Sequence, residues 1–123
     1  MLRVLWISSA ALALSSAVAD AAQCSRKGTY QLSHDGDYPM FITARAGTTC
    51  EATFGSFGGA NLTFKRLFLV TPPARGKINL REGGYYIYTA PSSSGTDTFT
   101  LRVCGSQDNK PGCATLKYSV TVN

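Results

Sequence analysis

Two stretches near the C-terminus alternate between apolar and polar residues with a period of two, over residues 97–104 and 113–122. Such a pattern is typical of a strand with one buried face, because successive side chains point to opposite faces of a sheet. β-branched and aromatic residues dominate both runs, which suits a pleated surface. We therefore predict two strands. Their predicted inward residues are Phe99, Leu101, Val103, Leu116, Tyr118, Val120 and Val122.

The cysteines that end and begin these runs indicate how the two strands align. With Cys104 opposite Cys113, Leu101 faces Leu116, and the other inward residues also meet apolar partners. A slip of one residue would break this agreement. Residues 105–112 are rich in turn-forming types and predict a loop. We therefore predict a hairpin with a Cys104–Cys113 disulfide, which the chain-entropy model values at about 2.7 kcal/mol.

The first 22 residues have the composition of a secretory signal peptide. A short positive start is followed by an apolar stretch and then by small residues, with a cleavage position within 19–23. We expect residues 1–22 to be removed and residues 23–123 to form one domain, exported to the periplasm or the extracellular space. An uncleaved membrane anchor is the alternative. The apolar stretch is short for a membrane helix, so we do not expect this chain to be an integral membrane protein.

Four cysteines in a short exported chain predict a disulfide framework with three possible connectivities. Once Cys104 and Cys113 are paired, Cys24 and Cys50 remain as the second bridge. Gln23 before Cys24 argues against a lipidated cysteine. The cysteine spacings do not supply the close pairs of a zinc site, so we predict no metal and no cofactor.

Six further segments have strand character, and turn-forming residues separate them. They are residues 28–32, 38–44, 48–54, 62–70, 77–80 and 85–89. The alternation breaks at Lys65 and Arg66, which predicts a β-bulge. Pro39 predicts an edge or the beginning of a strand, because proline cannot donate to a ladder. Short strands with regular turns predict an all-β, antiparallel β-sandwich of seven or eight strands, with a barrel as the alternative.

Three motifs in the second half carry a resemblance to a known family. They are Pro73-Ala-Arg-Gly76, Tyr88-Thr-Ala-Pro91 and Gly95-Thr-Asp-Thr-Phe99. In this order, before a final strand, they resemble bacterial immunoglobulin-like (Ig-like) and cadherin-like repeats, as in small single-domain exported proteins of Gram-negative bacteria. The resemblance covers residues 62–123. It implies an Ig-like sandwich that acts as a spacer or binding module and not as a catalyst.

Two residues of these motifs are assigned structural roles. By strand parity, Asp97 shares the inward face with Phe99. At the start of its strand it can accept backbone N–H bonds from the turn at residues 92–95, which also fits the resemblance. Tyr88 is interpreted as a core or corner tyrosine. A catalytic acid would need a second carboxylate at a defined distance, for which Glu82 is only a remote candidate.

Other constellations are weaker. His34 is the only histidine, and no nucleophile motif accompanies it, so we interpret it as a turn residue. Residues 34–37, His-Asp-Gly-Asp, have two carboxylates of a calcium loop but lack the remaining acidic ligands, and an Asx-type turn explains them as well. A sugar-stacking platform of Tyr85, Tyr86 and Tyr88 is a further alternative.

The net charge of +5 persists without residues 1–22, because that segment holds one arginine and one aspartate. A basic domain is attracted to anionic surfaces, although the charge also serves solubility. The basic residues lack the clustering of a nucleic-acid arm, so we expect no nucleic-acid partner.

We expect a monomeric, non-enzymatic module at the cell envelope that binds an anionic envelope polymer or a partner protein. The predicted binding residues face outward on their strands: Arg102, Lys117, Lys77 and Arg81. One alternative is a secreted enzyme inhibitor that uses the disulfide-clamped loop at residues 105–112. Another is a small secreted enzyme.

Overall fold

A computed structural model describes residues 24–32, 35–54 and 61–123. These residues form eight β-strands. In chain order they are β1 (Cys24–Lys27), β2 (Gly36–Ala44), β3 (Thr49–Thr53), β4 (Leu62–Thr71), β5 (Lys77–Arg81), β6 (Tyr85–Thr89), β7 (Gly95–Gln107) and β8 (Lys110–Val122). In this described part of the chain no helix has the length and apolar character needed to cross a membrane. The predicted signal peptide at residues 1–22 lies outside it.

The strands form two sheets. The larger sheet has five strands in the order β1-β2-β8-β7-β4, and the smaller has three in the order β3-β6-β5. Inward side chains from both sheets contribute to one hydrophobic core. The predicted all-β class is confirmed, and the arrangement is compatible with the predicted β-sandwich.

One pair of neighbouring strands is not antiparallel as predicted. β2 and β8 run parallel along the whole of β2. A period of two reads the same for either strand direction, so the sequence pattern could not reveal this. Parallel neighbours need a long connection, and here residues 45–109 supply it. Cys24 pairs with Ala44, and Ala44 pairs with Val122, so these three residues lie side by side on three strands.

The first predicted strand, at residues 28–32, is wrong. β1 ends just before Gly28, whose φ of 130° is outside the range of ordinary strand residues and favours glycine. The following segment passes over the end of the β7–β8 hairpin. There Leu32 is buried, and its N–H donates to Oε1 of Gln107 at 2.7 Å. A side chain at Gly112 would collide with the Leu32 carbonyl, so this close approach needs glycine.

The β7–β8 hairpin has the predicted register, with Cys104 opposite Cys113. It is longer than predicted, because the two strands stay paired through residues 105–112 and only Asp108 and Asn109 form the turn. Both turn residues have positive φ, 53° and 65°. This is the geometry of a two-residue type I′ turn, which matches the twist of the strands. The prediction of a loop at residues 105–112 is therefore wrong.

Both predicted disulfides are present. Cys104–Cys113 joins two neighbouring strands of one sheet, whereas Cys24–Cys50 joins β1 to β3 and therefore connects the two sheets. The described residues contain no free cysteine. Two disulfides are consistent with an oxidising, exported location.

Aromatic rings fill the centre of the core. Tyr88, from the smaller sheet, stacks on Phe99 with ring centroids 5.2 Å apart, and Phe99 stacks on Tyr118 at 4.5 Å. Leu101 and Leu116 beside them have no exposed surface. These contacts bury the inward face predicted for the hairpin and attach it to the smaller sheet.

Candidate functional site

Asp97 is a buried carboxylate near the start of β7, with an exposed fraction of 4%. It accepts hydrogen bonds from three backbone N–H groups and one hydroxyl. The donors are Arg75 N at 3.0 Å, Gly76 N at 2.8 Å, Thr98 N at 3.0 Å and the Tyr88 hydroxyl at 2.6 Å. A carboxylate with this many donors holds the backbone around it in one conformation.

The donors differ from the predicted ones, which were N–H groups of the turn at residues 92–95. That turn instead supplies acceptors to the Arg75 guanidinium, which donates to the carbonyl oxygens of Ser93 at 3.0 Å and Ser94 at 3.3 Å. Arg75 therefore bonds Asp97 with its backbone and the 92–95 turn with its side chain. Together these contacts join the β4–β5 turn to the β6–β7 turn.

The hydrogen bonds control the acidity of this group. Burial raises the pKa of the Asp97 carboxyl, but the hydrogen bond from Tyr88 and the three backbone N–H bonds outweigh burial, so the pKa lies below its ordinary value of 3.8. The carboxylate is therefore charged at neutral pH and acts as an acceptor.

The lowered pKa predicts a pH dependence of stability. A carboxyl whose folded-state pKa is depressed stabilises the fold above its unfolded pKa and loses this contribution as the pH falls through the folded pKa. We expect the unfolding midpoint of the wild type to fall from about pH 4 downward. The Asp97→Asn variant should be less stable at pH 7 and should lose less between pH 5 and pH 2. Parallel acid profiles for the two proteins would contradict this prediction.

The four predicted binding residues do not form one surface. Arg102 and Lys117 lie on the outer face of the five-stranded sheet, whereas Lys77 and Arg81 lie on β5 in the three-stranded sheet. When two sheets pack on one core, the outward side chains of one sheet point in the opposite direction from those of the other. The four residues therefore do not share one surface, since strand parity gives inside or outside but not the sheet.

Two of the four side chains also have partners on their own sheet. Lys117 Nζ lies 3.1 Å from a carboxylate oxygen of Asp37, and both side chains are well exposed. Arg102 donates from Nη1 to the Thr115 hydroxyl at 3.0 Å. An exposed ion pair contributes little stability, but it lowers the positive charge of this face.

β4 is different, because among the described strands it forms an edge of the five-stranded sheet and it exposes apolar side chains. The exposed fractions are 42% for Phe68, 40% for Leu69 and 53% for Val70. Its pairing with β7 shifts register between Phe64 and Arg66, which confirms the bulge predicted there, and again between Leu69 and Thr71. Edge strands present unpaired N–H and C=O groups and can pair with another chain.

The Cys104–Cys113 pair fixes which backbone groups of β4 face the open edge. Its Cα separation of 4.0 Å belongs to a non-hydrogen-bonded antiparallel pair. The N–H and C=O of Cys104 therefore point away from β8 toward Arg66, which lies opposite on β4. Because bonded residues alternate along a strand, the N–H and C=O groups of Leu67 and Leu69 point outward to the open edge.

A groove of about 290 Å³ lies between β4 and β5, beside this edge. Its lining includes two leucines, three cations and one carboxylate: Leu67, Leu80, Lys65, Arg66, Arg81 and Glu82. None of the three cations makes an ion pair within the described residues. The guanidinium of Arg66 lies over the ring of Phe68, 5.8 Å from its centroid. The open edge therefore combines apolar side chains, free backbone groups and positive charge.

The remaining candidates are not brought together. Tyr86 and Tyr88 are buried inside the core, while Tyr85 lies on the other face of β6, so the three tyrosines do not form the predicted sugar-stacking platform. Glu82 is exposed, whereas Asp97 is buried among its donors. The predicted turn histidine, His34, lies outside the described residues.

The two carboxylates of the predicted calcium loop are also engaged. Asp35 Oδ1 accepts from Cys113 N–H at 2.8 Å, and Asp37 pairs with Lys117. Across residues 24–32, 35–54 and 61–123, no group of three or more His, Cys, Asp or Glu side chains is placed to hold a metal ion.

Sequence reasoning did not identify the edge of β4 as a site. The signal was the unbroken apolar run at residues 67–70, which does not alternate as a half-buried strand does. The chain matches no protein-family model and no curated protein.

Proposed function

We propose that this chain is an exported, non-enzymatic Ig-like module of the cell envelope that binds an extended, acidic segment of a partner protein along β4. The open edge of β4 is the observation on which the proposal depends. An extended segment that joins a sheet edge forms main-chain hydrogen bonds, and pockets beside the edge select its side chains.

Three features support the Ig-like assignment. First, the strands divide into one sheet of five and one sheet of three. Second, the smaller sheet consists of β3, β6 and β5, in that order. Third, β2, from the start of the chain, pairs parallel with the last strand, β8. Export is supported by the composition of residues 1–22 and by the two disulfides.

The chemistry of the edge favours a peptide over a polysaccharide or other anionic polymer. The outward N–H and C=O groups of Leu67 and Leu69 have the spacing of a β-ladder. Only another extended peptide strand can bond to all of them along its length. Each ladder bond contributes about 0.5–1.5 kcal/mol. The apolar side chains of Phe68 and Val70 add exposed surface for a partner to cover.

Charge decides what kind of segment fits. Lys65 and Arg66 precede the apolar part of β4, and Arg81 lines the same groove. The chain itself carries a net charge of +5, so a second copy would be repelled at long range. An acidic segment is attracted to the edge and pairs with these cations at one end.

A peptide of defined composition tests the proposal. The probe is an acetylated octapeptide of alternating valine and glutamate, and its control has glutamine in place of glutamate. We expect the acidic peptide to shift the NMR signals of the Leu67 and Leu69 amides and to slow their hydrogen exchange, because these N–H groups become bonded. Salt at 0.5 M should weaken the binding, since it screens exposed charges.

Two matched variants separate the edge from general charge. The double variant Lys65→Gln, Arg66→Gln should weaken binding about fivefold, as expected for two exposed ion pairs. Lys110→Gln, Lys117→Gln removes the same charge on β8 and should change affinity little. Equal weakening by both variants would contradict the proposal and favour an anionic polymer bound by net charge. Unchanged exchange at Leu67 and Leu69 would also overturn it.

A further inference from the structure

A second concave site lies on the opposite side of the molecule from β4, where β1 and β2 face β3 and β6. It is a cleft of about 590 Å³ between the two sheets. Tyr86 and Tyr118 line its deep end and have exposed fractions of 1% and 3%. A volume of this size is within the range of small-molecule sites, about 300–1,000 Å³.

The walls of the cleft are aromatic. The rings of Tyr30 and Phe54 meet edge to face with centroids 6.0 Å apart, and Phe54 stacks on Tyr86 at 5.6 Å. Met40 also lines the cleft. Flat aromatic faces and a thioether favour an occupant with a flat, apolar body, because offset stacking buries the most surface against them.

Polar groups converge in the same space. The rings of Tyr86 and Tyr118 meet edge to face with centroids 6.0 Å apart, and the positive charge of Arg26 acts on both hydroxyls. Burial raises the pKa of Tyr30 and of Tyr118, so both are neutral phenols at physiological pH. The deep end of the cleft therefore contributes hydroxyl groups and no negative charge.

The mouth of the cleft carries the guanidinium of Arg26. Arg26 is held in place by a hydrogen bond from its Nη1 to the Glu51 carbonyl oxygen at 2.9 Å. The Glu51 carboxylate uses one of its oxygens to accept a hydrogen bond from the Tyr85 hydroxyl. Lys27 borders the cleft but pairs with the exposed Phe41, so its side chain lies on the outer face of the sheet. The guanidinium of Arg26 can therefore bind an anion at the mouth.

We propose that this cleft binds a small organic anion with a flat apolar body, such as an aromatic carboxylate, with the body between the aromatic walls and the charge at Arg26. The chemistry combines apolar burial with charge-assisted hydrogen bonds, and the two parts can be measured separately. The site is independent of the β4 edge, so either proposal can fail alone.

The test compares two probes of the same shape. The probes are 2-naphthoate and its neutral amide, 2-naphthamide, titrated into the oxidised protein and followed by NMR. We expect both to shift signals of cleft residues such as Met40 and Ala52. The naphthoate should bind about tenfold more tightly, the effect of one charge-assisted hydrogen bond.

Three variants complete the design. Arg26→Gln should remove the preference for naphthoate and leave naphthamide binding unchanged. Lys117→Gln, on the outer face of the same five-stranded sheet and away from the cleft, removes the same charge and should preserve the preference. Ala52→Trp should fill the cleft and abolish binding of both probes. Equal affinity for the two probes in the wild type, or shifts outside the cleft, would overturn the proposal, and neither result depends on a variant folding correctly.

Discussion

Replacing Asp97 by alanine is expected to lower the free energy of unfolding by about 4 kcal/mol. The carboxylate is buried and accepts from Arg75 N, Gly76 N, Thr98 N and the Tyr88 hydroxyl. Alanine leaves these donors without an acceptor in a site that water reaches poorly. Chemical denaturation at pH 7, with the midpoint and slope measured separately, gives the loss directly.

Two control variants make this result specific. Tyr88→Phe removes one of the donors and keeps the ring stacked on Phe99, so it should cost about 1–1.5 kcal/mol. Glu82→Ala removes a carboxylate that is exposed, and it should change stability by less than about 0.5 kcal/mol. If Asp97→Ala lowers the free energy of unfolding by less than Tyr88→Phe does, the four hydrogen bonds do not hold the two turns together.

Removing the disulfide that connects the sheets is expected to have the second largest effect. The double variant Cys24→Ala, Cys50→Ala opens a loop with a sequence separation of 26 residues, which corresponds to about 3.5 kcal/mol in the chain-entropy model. β1 has four residues, and β2 is its only partner among the described strands, so its amides should also lose protection from hydrogen exchange before the rest of the sheet.

The hairpin disulfide provides the matched comparison. Cys104→Ala, Cys113→Ala opens a loop with a separation of only 9 residues, for which the same model gives about 2.7 kcal/mol. Its strands are also held by pairing on both sides of the bridge. Denaturation of the two double variants under identical conditions measures the difference. A larger loss for the hairpin variant would mean that loop length does not control these stabilities.

The hairpin was predictable because two independent signals agree on it. The alternation gives the inward faces of Leu101 and Leu116, and the cysteines give one register in which those faces meet. The turn was not predictable at the right place, because Pro111 and Gly112 also have turn character. Pro111 is accommodated in β8 because its neighbours place its nitrogen on the side away from β7, where no ladder bond is lost.

The site was less predictable than the fold. Parity correctly places Lys77 and Arg102 on outer faces, but sheet membership depends on how distant strands pair, and no local pattern contains that information. For the same reason the sequence could not show that β4 is an edge or that Arg26 and Tyr118 meet in one cleft. These relations connect residues far apart in the chain, so they arise only when the two sheets assemble.

The side-by-side placement of Cys24, Ala44 and Val122 has a consequence for protein engineering. Across two strand spacings, the first and last strands of the domain are only about 10 Å apart at this end. A short glycine-serine linker between Val122 and Cys24 can therefore close residues 24–122 into a circle or splice that segment into a surface loop of a host protein. The Asp108–Asn109 turn, at the far end of β8, would then project about 40 Å from the splice point. A peptide inserted at that turn would therefore lie far from the surface of the host protein, because the paired strands β7 and β8 separate the two.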